Sequence, residues 1–466
     1  DDMFNTEQGF MDALYGIYVN MGKSDLYGGT LQTALDMTAQ YYSYYDISEC
    51  PYGHYQTFEY EHPSCTAISD ALWMRIYYCI GLTNNLLKYL DKPEAVQICS
   101  NYDYLRGEAL ALRAYLHFEL IRIFAPDVKK NPEYKSIPYR KTFSPDIEPQ
   151  LKVKEVYQEI LADLTEAKQL LSNDVIRTNG PDWLGESEKK EESDDVTDKN
   201  EGYYTSDFLK TRKYRMNYYA VLGTLARVHL TLGTTDDMEK AYDYAMEVIE
   251  SGKFRPIQEE HILVSGEQAK YRDILFTDEF IFGLYSAQVD AFYKSNFDES
   301  YGVKKILINK LSDIYGQGTR DLRQTHWFKT SWGTSYLLKH NADLEYAKEK
   351  VRMITLAEMY YIAAEAHPAE AYDLLEEILP SREIHSSLPV NAGRTEVLTE
   401  VLKEYRKEYI GDGQFFYAYK RLIEEEAAIH PLGINIPNEN KVLVWPLPQD
   451  EIKYGDRESG IWKTEK

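Results

Sequence analysis

The chain has 466 residues, enough for two to four ordinary domains or for one large helical solenoid with insertions. Hydrophobic residues make up 44% and charged residues 27%, which excludes wholesale disorder, collagen and a disulfide-dense miniprotein. Acidic residues outnumber basic ones 76 to 52, and the resulting net charge of −24 repels phosphate backbones, so nucleic-acid binding is not expected.

The opening, DDMFNTEQGF, has neither a basic n-region nor an apolar h-region. That leaves a cytosolic protein or one whose targeting segment has been removed. No run of 18 apolar residues predicts a membrane-spanning helix. Residues 41–63 read as a loop dense in aromatic rings. Residues 71–90 carry Leu72, Ile76, Cys79, Ile80, Leu86 and Leu87 in an i, i+3/i+4 stripe, which predicts a helix. The same period recurs over 102–124, where Pro126 stops it, and over 153–171, 214–232 and 236–250. Further helices are predicted over 351–366, 368–379 and 394–409. Residues 180–207 are polar and nearly free of aliphatics, an exposed excursion. Residues 278–336 mix short β-like runs such as 280–285 with Gly, Asn and Trp.

Two helix pairs share a pattern. Ala220, Gly223 and Ala226 followed by Ala241 and Ala245 form one, and Ala357, Ala363 and Ala364 followed by Ala369 and Ala371 form the other. Small residues where two helices cross let their backbones approach, as in a tetratricopeptide unit. The fold class expected is therefore mostly α, with tetratricopeptide-like helix pairs. The scaffold is placed in 66–172, 212–252 and 350–422, with loop-rich regions at 41–65 and 278–340.

The four cysteines, Cys50, Cys65, Cys79 and Cys99, fit neither a CxxC redox pair nor a zinc knuckle. Their even number permits two disulfides, but free buried thiols are the favoured reading. HExxH, GxSxG and GxxxxGK[ST] are absent, so neither an enzyme nor a bound metal or cofactor is expected. Glu358 and Glu365 lie on one helical face and are read as structural partners of Arg352, Arg406 or Arg421. Trp73, between Leu72 and Ile76, reads as core.

The chain resembles the SusD/RagB family of Bacteroidetes outer-membrane lipoproteins. The similarity runs in order through FNTEQGFMDALYGIYVNM, DLYGG, LDMTAQ, LWMRIYYCIGLTNNLL, YLRGEALALRAYLHFELIRIFA, IPYRKTF, VYQEILADLTEAKQLL, YYAVLGTLARVHLTLG, VRMITLAEMYYIAAEA, EYRKEYIGDGQFFYAYKR and LPQDEI. Phe124–Ala125 replaces the family's FG, and residues 180–207 match no family pattern. The resemblance implies a single domain, residues 1–466, of about four tetratricopeptide-like helical pairs, with the loop-rich ligand regions 41–65 and 278–340 on one side. It implies a lipid-anchored protein on the outer face of the outer membrane, its anchor upstream of residue 1. It also implies capture of oligosaccharides, or of peptides in the RagB branch, for a SusC-like TonB-dependent transporter. A tetratricopeptide-type interaction scaffold without a small ligand is the remaining alternative.

Tyrosine is unusually abundant, with 41 Tyr against 16 Phe and 6 Trp. A sugar ring presents apolar C–H faces and polar hydroxyls, so a site for it needs flat rings beside Asp, Asn, Arg or Gln. Both loop regions supply them, and the resemblance places ligand contacts in the same two zones. Tyr52, Tyr293, Trp327 and Trp332 stand out because they sit among polar or Gly neighbours rather than on a helical stripe. Tyr55, Asn296 and Tyr301 complete the expected ligand set.

Overall fold

The computed structural model describes residues 2–185, 207–297, 306–308 and 311–462. Its helices of seven residues or more are α1 (Glu7–Met21), α2 (Thr30–Thr38), α3 (Pro63–Leu90), α4 (Tyr102–Phe124), α5 (Val153–Leu170), α6 (Tyr218–Leu232), α7 (Thr235–Glu250), α8 (Val289–Phe297), α9 (Leu356–Ala366), α10 (Ala371–Ile378), α11 (Arg394–Glu408) and α12 (Phe415–Arg421). They pack in succession: α1 on α3, α3 on α4, α4 on α5, α5 on α6, α6 on α7, α7 on α9, α9 on α10 and α11, and α11 on α12. Both helix pairs marked by small residues in the sequence are present, as α6–α7 and α9–α10. Among the described residues no helix is long and apolar enough to cross a membrane.

Local chemistry sets the helix ends. Asn217 Oδ1 accepts from the N–H of Ala220 at 3.0 Å to open α6, and Gly233, at φ +70°, closes it in the left-handed region that a side chain would strain. Pro63 occupies the first turn of α3, where no partner for its missing N–H is needed. Gly107 lets α4 approach the end of α5; a Cβ there would lie 2.8 Å from Leu171 Cγ.

Two short antiparallel sheets interrupt the helices. Strands β1 (Tyr42–Tyr44), β3 (Ile306–Ile308), β4 (Phe328–Ser331) and β5 (Thr334–Leu337) form one in the order β1-β3-β5-β4. Strands β2 (Phe280–Tyr285) and β6 (Lys350–Thr355) form the other. β6 corrects the helix expected over 351–366: its first residues pair with β2, and the helix starts at Leu356. A run such as VRMIT satisfies either period, and the partner strand decides it. The helix α8 likewise lies where irregular structure was expected. Gly223 serves this sheet rather than a helix crossing, because a Cβ there would meet Ile354 of β6 at 3.0 Å.

The core holds many charged groups, most of them in ion pairs. Arg212 is fully buried between Asp174, 2.7 Å away, and Glu108. Arg227 pairs with Glu358 at 2.5 Å, and Arg421 pairs with Glu365. Glu365 thus has the partner expected from the sequence, whereas Glu358 is matched across helices to Arg227, and Arg406 donates to the carbonyls of Asp313 and Leu432. Glu408, at the end of α11, receives Arg323, Arg352 and Arg382 from three other segments. Trp73 is buried and packs edge-on against Phe124. All four cysteines are buried, unpaired thiols, and burial pushes Cys65, Cys79 and Cys99 up to about 12.

Two buried histidines give the fold an acid limit. His117 lies stacked on Tyr139 with Nε2 accepting from the N–H of Arg140, and His340 packs on Tyr293. Burial lowers both to about 3, from 6.5. The unfolded chain therefore binds more protons between these values, so the stabilisation is complete above pH 6.5 and is lost as pH falls toward 3. Each histidine should cost about 1.4 kcal/mol per pH unit in that window. Urea midpoints at pH 7 and pH 5 check this, and His117→Gln should reduce the difference by about half.

Candidate ligand-binding site

A solvent-facing cleft of about 360 Å³ opens between α1, the segment before α6 and the end of β2. That lies within the roughly 300–1,000 Å³ range of small-molecule sites. Residues four apart on α1, Tyr15 and Val19, face outward and form one wall, while Tyr18 turns inward to donate to Glu108 at 2.7 Å. Strand β2 is buried through its first five residues, and Tyr285, its last, leaves the core with 54% of its surface exposed. Tyr214 lies beside it, ring centroids 4.4 Å apart and planes 36° from each other. Gly283 creates the space for this pair, since a Cβ there would sit 2.6 Å from the Phe280 ring and 3.1 Å from Tyr214.

Polar groups surround the rings. Arg215 Nη1 donates to the Tyr15 hydroxyl at 3.2 Å, and its guanidinium lies 3.9 Å from the centre of the Phe208 ring. Asp207 and Lys210 pair with each other at the rim. The buried Asp174–Arg212–Glu108 cluster fixes the segment beneath, and Lys213 Nζ anchors it again through Thr277 O at 3.1 Å. The Tyr214 and Tyr285 hydroxyls are raised above their ordinary value, chiefly by burial, so both stay neutral donors at any physiological pH. Flat rings and donors on a rigid base suit a ligand with apolar faces and polar edges.

The structure spreads the expected ligand residues widely. Tyr55 is buried on Trp445, donates to Cys65 O at 3.1 Å and lies 2.7 Å from Ser69 Oγ. Tyr52 is buried against Phe292, its hydroxyl 3.3 Å from Thr30. Tyr293 donates to Gly411 O at 2.8 Å between Phe297 and His340. Trp327 is wholly buried, donating to Ile274 O, with Lys339 Nζ 4.0 Å above its ring. These four rings are core in the structure, a correction to the sequence reading: their polar chain neighbours are not their neighbours in space. Asn296 turns back to Phe292 O on its own helix, and Tyr301 lies outside the described residues. So do residues 186–206 of the polar excursion.

Trp332 is the exception. It is fully exposed at the tip of the β4–β5 hairpin, where Ser331 pairs with Thr334 and only Trp332 and Gly333 form the turn. Both have positive φ, +52° and +79°, the geometry of a type I′ turn that favours Asn-Gly. A tryptophan held there is strained and covers nothing.

Residues 14–180 match the SusD-like family model, described as starch-binding and associating with the outer membrane. A SusD superfamily protein from Bacteroides vulgatus superposes with TM-score 0.70 at 21% identity, covering 99% of this chain and 100% of that one. The fold is that of SusD superfamily proteins. A SusD superfamily protein from Bacteroides thetaiotaomicron gives TM-score 0.68 at 20% identity, over 97% of this chain and 98% of the other. A putative sugar-binding protein from Bacteroides vulgatus gives 0.64 at 21%, over 88% and 85%. None of the curated proteins compared matches. Within this SusD-like fold, Tyr285 carried the one sequence signal for the cleft, an aromatic ending a β-like run. Tyr15 and Tyr214 arrive from distant segments with no such mark.

Proposed function

We propose that the protein captures oligosaccharides at the outer face of an outer membrane and passes them, chemically unchanged, to a SusC-like TonB-dependent transporter, held at the membrane by an N-terminal lipid anchor. The observation that carries the reading is the Tyr214–Tyr285 pair, open to solvent beside Arg215. A shallow aromatic cleft favours sugar rings over an extended peptide, which needs an enclosed groove or a free strand edge. An exposed ring cluster also disfavours a pure interaction scaffold. The similarity to the starch-binding family model and to a putative sugar-binding protein adds support.

Each stacked ring supplies about 1 kcal/mol, so binding in the micromolar to millimolar range is expected. Affinity electrophoresis and isothermal titration against an oligosaccharide panel test the reading. Tyr285→Ala should weaken the best ligand by roughly fivefold to tenfold without lowering the melting temperature. Binding of peptides but of no oligosaccharide would end the proposal, as would an unaltered affinity in Tyr285→Ala.

A further inference from the structure

A second cavity, unrelated to the aromatic cleft, lies among α4, α5, α6, α9, α11 and α12. It measures about 60 Å³. At about 10–15 Å³ per water-sized occupant, it holds roughly four to six heavy atoms. Leu230, Ile362 and Ala418 give it apolar walls, and Arg122 and Lys420 bring N–H groups to it.

Lys420 differs from the other cations nearby, and Arg122, though paired with Glu119, keeps one N–H unmatched. Arg227 and Arg421 are each spoken for by a carboxylate, Glu358 and Glu365. Lys420 is buried, yet among the described residues it forms no ion pair. Its Nζ donates at 2.7 Å to the carbonyls of Arg122 and of Ala125, which leaves a third N–H. Arg122 is held between the Phe118 and Tyr417 rings, 4.3 and 3.8 Å from their centroids. Its Nη2 reaches Glu119 at 3.1 Å, while Nε has no acceptor. Asp127 lines the same cavity and favours the charged form but makes no ion pair with Lys420, and burial still brings Lys420 down to about 7. An anion in the cavity would offset the cost of that burial.

We propose that this cavity binds a short aliphatic carboxylate, its oxygens received by Lys420 and Arg122 and its carbon chain by Leu230 and Ile362. A polyhydroxylated acid fits poorly, because its hydroxyls would face aliphatic walls. Access runs through an adjoining hollow lined by Lys130, Asn131 and Asn438, which shares Pro126, Asp127 and Lys420 with the cavity.

Isothermal titration of the full chain at pH 6 with butanoate, butanamide and galacturonate tests this. Saturable binding of butanoate, at least tenfold tighter than butanamide and galacturonate, is expected. Lys420→Met should abolish it. Because that change also strands two carbonyls and could unfold the chain, Thr231→Trp supplies a second arm: Thr231 is a half-buried lining residue, and a tryptophan there should block butanoate while the melting curve is retained. Absent butanoate binding, equal affinity for butanamide, preference for galacturonate, or unchanged binding in folded Thr231→Trp would each overturn the proposal.

Discussion

Trp327→Ala should destabilise the protein by about 3–5 kcal/mol, whereas Trp332→Ala should leave its stability unchanged or slightly raised. The two tryptophans lie five residues apart in similar sequence surroundings. Trp327 is wholly buried, with Phe276 at 5.2 Å and Lys339 and Arg352 over its ring. Truncating it opens a cavity and strands the Ile274 carbonyl, which now accepts from Nε1. Trp332 touches no core, and its backbone sits at φ +52°. Trp332→Asn should therefore stabilise the hairpin by up to about 1 kcal/mol, since asparagine suits the first position of a type I′ turn. Urea denaturation of the three variants measures all of this. A Trp332→Asn protein that melts well below the parent would show that the ring is packed after all. If the strain is retained for ligand capture, the same variant should lose sugar affinity while gaining stability.

Glu408→Gln should cost about 3–5 kcal/mol, because it removes the shared counter-charge of three buried guanidinium groups. Glu408 Oε1 accepts from Arg352 at 2.6 Å, and Oε2 accepts from Arg323 at 2.9 Å; Arg382 approaches Oε1 at 3.2 Å. Each arginine comes from a different segment: Arg352 from β6, Arg323 from the turn of helix before Trp327, and Arg382 from the end of α10's extension. Glu408 is held well below the usual carboxylate range by these three arginines, against its own burial. The sign follows: its contribution is present above the unfolded carboxylate value near 4.3 and is lost as pH falls through the depressed folded value. Arg323 keeps Asp321 and Glu404, and Arg382 keeps Glu279, so the effect should be less than total unfolding. Chemical denaturation of Glu408→Gln at pH 7 checks the size. A loss under 1 kcal/mol would mean that the remaining acids carry the arginines.

The helical scaffold is legible in the sequence because it rests on a local rule. Apolar residues at every third or fourth position bury one face whatever the partner, so 102–124 and 236–250 could be read within a residue or so of their ends, α4 at Tyr102–Phe124 and α7 at Thr235–Glu250. Gly and Pro marked several ends for equally local reasons. Where two periods fit the same residues, as in 351–355, the answer waits for the strand across the sheet.

Periodicity and motif order alone determined the helical class and the SusD-like resemblance, and composition the abundance of aromatic rings. Which rings face water was decided only by the tertiary structure. Tyr52, Tyr55, Tyr293 and Trp327 have polar chain neighbours yet are enclosed by residues up to hundreds of positions away, while Tyr15, Tyr214 and Tyr285 meet from three separate segments. Burial is a property of contacts in space, and a ring's sequence neighbours fix only a small part of those contacts.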